Sequence, residues 1–275
     1  MANVNDDDQL ILFSDSDDEI EYEEEEVQIA GKTFIIKSLP EQIPLEILAK
    51  LADKKIEISG RCPWPGSLLL GTYLNHEKYG RHLIENKNVI ELGTGCGILG
   101  FSIASHVNKI ELTDNDVFAL NLVEKNININ LAIDNFSSNN GTTPTVEKLS
   151  WANENDLKKY NLKNVKYDVV IAADVCYKEE IVNPLFITAR QLSKPNAKFI
   201  LCHIPRGTTN GNGNSLVTNE IVCKYAEKNE FKIMNKIDIN DELITISPKE
   251  CVEGVGCKNG CIYVFQKEEC SSQKK

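Results

Sequence analysis

The sequence predicts an α/β fold: a doubly wound, mainly parallel sheet of seven strands whose last two form an antiparallel pair. Three observations lead there. From about residue 65, short apolar runs alternate with stretches that are apolar at helical spacing, the rhythm of a parallel sheet covered on both faces. The run Val89-Ile90-Glu91-Leu92 passes straight into Gly93-Thr94-Gly95-Cys96-Gly97, a glycine-rich turn at a strand's carboxyl end, where open α/β sheets bind ligands. The final two strand-like runs have no strong crossover helix between them, so they pair antiparallel at the sheet edge.

Strands are expected at 88–92, 109–113, 145–149, 167–173, 198–203, 231–238 and 261–266, and helices at 65–75, 97–107, 115–129, 178–192 and 215–229. Ahead of this unit, Val27-Gln28-Ile29 and Thr33-Phe34-Ile35-Ile36 flank Ala30-Gly31-Lys32, a hairpin signal. Residues 43–51 then have helical spacing and 55–58 read as a strand. Polar loops with glycine fall at 137–144 and 207–214. The expected organisation is a disordered acidic tail over 1–26, a hairpin and helix addition over 27–62, the main domain over 63–267 and a flexible end over 268–275.

Charge is unevenly distributed. Of 41 acids, twelve lie in residues 1–26 with no Lys or Arg among them, which leaves 29 acids against 30 bases elsewhere. The net charge of −11 therefore belongs to the tail, and no basic face for nucleic acid is expected. Ser14 and Ser16, each with an acid three residues on, look like acidophilic kinase sites beside the apolar island Leu10-Ile11-Leu12-Phe13. No apolar run approaches membrane-spanning length, and the acidic opening lacks the basic start of a secretory leader. Nine scattered cysteines fit free thiols in a reducing compartment, so a cytoplasmic or nuclear protein is expected.

No metal is expected either. Cys257-Lys-Asn-Gly-Cys261 has poor ligand spacing and no nearby histidine, and Asn259-Gly260 is a turn signal that puts the two cysteines across a hairpin. His76, His82, His106 and His203 are dispersed, and neither a nucleophile elbow nor a phosphate loop occurs.

Two nucleotide-type cofactors compete for the glycine-rich turn. Gly95-Cys96-Gly97-Ile98-Leu99-Gly100 satisfies the dinucleotide fingerprint, and Asp114 lies 19 residues after Gly95, at the second strand's end, where an acid can hold ribose hydroxyls. Glu91 argues against a dinucleotide, because its carboxylate repels a pyrophosphate and welcomes a cationic amino-acid moiety. The full pattern Glu91-x-Gly93-x-Gly95-x-Gly97 is similar to S-adenosyl-L-methionine sites, and Trp151 can cover an adenine face.

With Tyr167-Asp-Val-Val-Ile-Ala-Ala-Asp-Val-Cys-Tyr177 as the fourth strand and its end, residues 27–267 resemble methyltransferase family 16, the seven-β-strand, non-SET protein lysine methyltransferases. The matching pieces are Trp64-Pro65, residues 91–97, Leu112-Thr113-Asp114, Asn126, Ser150-Trp151 and Asp174-Val175-Cys176-Tyr177, of which Asp174-x-x-Tyr177 is the most specific. The resemblance implies a Rossmann-like class I methyltransferase sheet. It also implies that Trp64, Gly93, Thr94, Gly95, Gly97, Asp114, Trp151 and Ala173 contact S-adenosyl-L-methionine, and that Glu91 holds its methionine end directly or through water. Asp174 and Tyr177 would line the acceptor channel and orient the amine, and Arg206 would face the substrate, although His203 and Pro205 loosen that local match.

The implied partner is a lysine-bearing protein, of which translation elongation factors and chaperones are the favoured classes; the chain is expected to act as a monomer, without nucleic acid or membrane. Histidine- or α-amine-directed methyl transfer on the same scaffold is the alternative, and a non-catalytic binding module is the alternative of another class. Without the resemblance, Trp64 reads as core filling, Asp174 as a cap on the helix starting near Lys178, and Tyr177 as an interfacial aromatic.

Overall fold

The computed structural model describes residues 22–40, 45, 49, 59–136, 142–205, 217–239, 243, 247 and 257–268. The expected tail through residue 21, the helix over 43–51 (Leu45 and Ala49 apart), the strand over 55–58 and Arg206 lie outside them.

The amino-terminal hairpin pairs β1 (Glu23–Ile29) with β2 (Lys32–Ser38) antiparallel, with Val27 opposite Phe34. Alternation buries Val27, Ile29, Phe34 and Ile36 on one face. The acidic run Glu23–Glu26 thus belongs to a strand and not to the tail. Pairing with β2 carries the strand back through it, and Lys37 and Ser38 of β2 meet Glu24 (3.3 Å) and Glu25 (3.0 Å).

The remaining elements follow in chain order: α1 (Pro65–Asn75), α2 (Arg81–Ile84), β3 (Asn88–Leu92), α3 (Ile98–Ile103), β4 (Lys109–Asp114), α4 (Val117–Ala132), β5 (Thr145–Lys148), α5 (Glu154–Leu162), β6 (Tyr167–Ala173), α6 (Glu179–Leu192), β7 (Ser193–His203), α7 (Asn219–Lys228), β8 (Phe231–Asp238) and β9 (Cys261–Lys267). Strand order in the main sheet is β5-β4-β3-β6-β7-β9-β8. The strands from β5 to β7 are parallel; β9 slots between β7 and β8 and runs antiparallel to both. Val89, Ile110, Val169, Ile171 and Ile200 point to one face with α1, α3 and α4; Ile90, Val170, Ala172, Phe199 and Leu201 point to the other with α5, α6 and α7. Chain order reverses between β3 and β6, and that switch point opens a crevice at their carboxyl ends.

Three departures from the sequence reading have local causes. Helix α5, which was not expected, buries only Leu157 and Tyr160, too thin a stripe to register as periodic; Asn153 starts it by accepting the N–H groups of Asn155 and Asp156. Helix α3 stops at Ile103, four residues before the expected end, because the chain turns there, with the His106 N–H on the Ile103 carbonyl, to enter β4. Cys257 lies in a 3₁₀ turn (Cys257–Asn259), and Cys261 pairs with His203 and Asp238, so the two cysteines do not face each other across a hairpin.

The hairpin is fastened to α4 by asparagines spaced one turn apart. Asn126 Oδ1 accepts the Lys37 N–H (2.7 Å), and its Nδ2 donates to the carbonyls of Lys37 (3.1 Å) and Cys96 (3.0 Å). Asn130 does the same to Ile35, at 3.1 and 2.7 Å. Both side chains are buried and act as a partner strand for the open edge of β2. Asn126→Ala strands three backbone groups, each worth ~1–3 kcal/mol if left buried and unpaired. The expected loss, allowing for relaxation, is about 2–4 kcal/mol in urea denaturation; a loss below about 1 kcal/mol would contradict this role.

Candidate active site

A cavity of about 580 Å³ occupies the crevice at the carboxyl ends of β3, β4, β6 and β7. Its floor is the turn after β3. The Gly93 and Thr94 N–H groups both bond the Thr113 carbonyl at 2.9 Å, which ties the turn to the end of β4. Gly95 has φ +56°, and a Cβ there would lie 2.9 Å from the Gly60 carbonyl oxygen, so backbone crosses backbone at a point only glycine permits.

Asp114 closes one side. Its Oδ2 accepts the Gly95 N–H at 3.1 Å and its Oδ1 accepts the Asp116 N–H at 3.0 Å. Burial raises its pKa above the usual carboxylate value, and the Asp116 and Gly95 amides oppose that shift. Each carboxylate oxygen has a second acceptor site, so the group is fixed in place and still able to bind. Trp151, in the turn after β5, stands beside Gly93; Trp64, 38% exposed, borders the cavity before α1 and donates its indole N–H to the Ser59 carbonyl at 2.6 Å.

Asp174 lies just past β6 in the left-handed region, with φ +57°. A non-glycine residue there is strained by roughly 1–2 kcal/mol, and such strain persists where the surroundings over-determine it. Its N–H bonds the Cys202 carbonyl at 3.0 Å and its Oδ2 accepts the Gly66 N–H at 2.6 Å. The helix that Asp174 caps is therefore α1, in place of the nearer helix by Lys178. A Cβ on residue 66 would fall 2.6 Å from the carboxyl carbon, so glycine is required for this approach. Tyr177, 45% exposed, stands on the cavity wall with Lys178, whose Nζ lies 5.4 Å from its ring centroid.

Trp64, Gly93, Thr94, Gly95, Asp114, Trp151, Ala173, Asp174 and Tyr177 thus surround one space. Among the described residues, two of the expected ones do not line it. Gly97 precedes α3 and packs on the Phe101 ring. Glu91 is buried beneath the glycine turn against Gly100 of α3, so it meets the cavity only through the turn above it.

Burial drives the Glu91 carboxyl well above its usual 4.5, eased by the Thr94 hydroxyl and the Gly100 amide and raised further by Asp114. The folded state thus holds the proton more tightly than the unfolded chain. This stabilisation is complete below about pH 4.5 and is lost as pH rises toward the folded-state value. Glu91→Gln should match wild type near pH 4 and gain on it as pH rises, by up to about 1.4 kcal/mol per unit within that window. Urea denaturation from pH 4 to 7 measures the difference; a constant offset would contradict the shift.

The sequence reading missed several contributors. Ser59, Gly60 and Cys62 line the cavity on a segment anchored by Arg61. The Arg61 guanidinium is fully buried, 4.6 Å over the Phe118 ring and 3.8 Å from Asp116 Oδ2. Asp116 both lines the cavity and caps α4 through the Phe118 N–H at 2.9 Å, which the acidic pair flanking Asn115 signals after the fact. His203, at the end of β7, also lines the space; its Nε2 lies 2.9 Å from the Val217 carbonyl and so carries the proton.

The comparisons agree with this geometry. A family model described as lysine methyltransferase matches residues 44–217. Protein N-lysine methyltransferase METTL21A of Xenopus tropicalis is 30% identical over 138 residues, which are 50% of this chain and 57% of that protein. EEF1A lysine methyltransferase 3 of the same species is 33% identical over 138 residues, 50% and 54% respectively. The chain spans about half the length of these curated relatives. Among solved structures, SMU.776 in complex with SAH superimposes with a TM-score of 0.56 at 10% identity, over 89% of this chain and 56% of that one, which speaks for the fold alone. The switch-point cavity, the strand-end carboxylates of Asp114 and Asp174 and the match over residues 44–217 converge, and the chain belongs to the lysine methyltransferase family.

Proposed function

We propose that this chain transfers a methyl group from S-adenosyl-L-methionine to the ε-amine of a lysine on a protein. The carrying observation is that one cavity brings the glycine turn, Asp114 and two indoles together with Asp174 and a half-exposed Tyr177. The residues fit the cofactor: side-chain-free backbone at Gly95 leaves room on the floor, Asp114 suits ribose hydroxyls and Trp151 suits an adenine face. When bound, the cofactor supplies an electrophilic methyl on a positively charged sulfur.

The chain's residues then have to deliver an amine that is neutral, aimed and dry. A lysine ammonium has a reference pKa of about 10.4, and burial beside a positive charge lowers it. Tyr177 offers an aromatic face that attracts the arriving cation. Asp174 holds the α1 helix end with Oδ2 and keeps acceptor capacity for an amine N–H, so it orients the nucleophile, while bulk water takes the proton.

The kinship to EEF1A lysine methyltransferase 3 supports a translation elongation factor as the substrate class, with chaperones second. A cytoplasmic or nuclear setting fits the seven described cysteines, none of them in a disulfide, and the chain is taken to act as a monomer. Incubation with methyl-labelled S-adenosyl-L-methionine and a lysate of the source organism tests the proposal. A discrete labelled protein band, lost with Asp174→Asn, supports it; labelled small molecules with no labelled protein would overturn it.

A further inference from the structure

Lys178 stands where a lysine is locally disfavoured. It is the N-cap residue of α6, with φ −135° and ψ 140°, and its side chain makes no capping bond. That position is ordinarily filled by a short side chain whose oxygen takes an orphan N–H, and a cation there faces the positive end of the helix dipole. Residues placed against local preference occur at functional or strained sites.

The surroundings indicate the purpose. Lys178 is the one lysine among the described residues that line the cavity. Its Nζ lies 5.4 Å from the centroid of Tyr177, within the ~6 Å reach of a cation–π contact. Tyr177 is the aromatic face assigned above to an incoming lysine, and Asp174, three residues earlier, shares the same wall. Lys178, itself exposed, thus brings an ammonium group to the wall that Asp174 and Tyr177 form.

We propose that Lys178 is an internal methyl acceptor. This rests on the methyltransferase reading above. Lys178 Nζ releases a proton to water, its lone pair forms the N–C bond to the sulfonium methyl, and the C–S bond breaks with its electron pair left on sulfur as a neutral thioether. The methylated amine is still a cation and remains suited to the Tyr177 ring. Lys178 and a substrate lysine compete for one place, so self-methylation proceeds when no protein substrate is bound.

The test uses the full-length protein, first as purified and then incubated alone with deuteromethyl S-adenosyl-L-methionine, digested and mapped by mass spectrometry. The expected result is methyl on Lys178, acquired at a per-molecule rate that stays constant over a tenfold range of protein concentration and is absent in Lys178→Arg. A parallel incubation of wild type with a lysate separates two failures. Label on lysate proteins with Lys178 unmodified overturns the internal acceptor alone. No label on any protein overturns the methyltransferase reading and the internal acceptor with it.

Discussion

Asp174→Asn is expected to lower the methyl-transfer rate at saturating substrate about 100-fold, the scale of a misaimed nucleophile, while leaving thermal stability nearly unchanged. Asparagine can still present an oxygen to the Gly66 N–H and cap α1 as well as aspartate does. Once its oxygen is so used, the cavity receives an NH₂ group, which donates and cannot accept from the amine. Asp174→Ala should show the same kinetic loss together with about 1 kcal/mol of instability from the lost cap. Rate measurements paired with melting separate the two duties. An Asp174→Asn enzyme as fast as wild type would show that Asp174 serves the helix and not the acceptor.

Asp114→Ala is expected to weaken cofactor binding by roughly 10- to 100-fold, the range of a lost hydrogen bond to a charged group. The Gly95 and Asp116 amides that now converge on the carboxylate would lose their acceptor, so the turn loosens at the same time. The effect should fall on cofactor affinity, with the rate at saturating cofactor much less changed. Calorimetric titration of S-adenosylhomocysteine reads it. Affinity within twofold of wild type would remove Asp114 from the binding site.

Much of this architecture was legible because it is written in short-range patterns. The runs at 88–92, 167–173 and 231–238 match the observed strands end for end, since each is a period-2 or continuous apolar stretch bounded by turn residues. Asp114 and Trp151 were legible for another reason: a polar or aromatic residue at a strand end announces a ligand-facing position. Glu91 shows where such reasoning stops. Its place two residues before Gly93 was plain, but the pleat decides which face a side chain takes, and here the carboxyl goes under the turn toward α3. Arg61 and Asp174 mark the same limit. Their partners, Phe118 and Gly66, lie 57 and 108 positions away in sequence, and no local pattern encodes that approach.

One cavity is expected to take S-adenosyl-L-methionine, and the chain has its own reporters for it. Its two tryptophans, Trp64 and Trp151, both border the cavity. The most direct measurement is therefore a fluorescence titration of the unmodified protein with S-adenosylhomocysteine, set against the same titration with NAD. The expected result is a saturable change at one ligand per chain with S-adenosylhomocysteine and none with NAD. A flat response to S-adenosylhomocysteine, or an equal response to NAD, would contradict it.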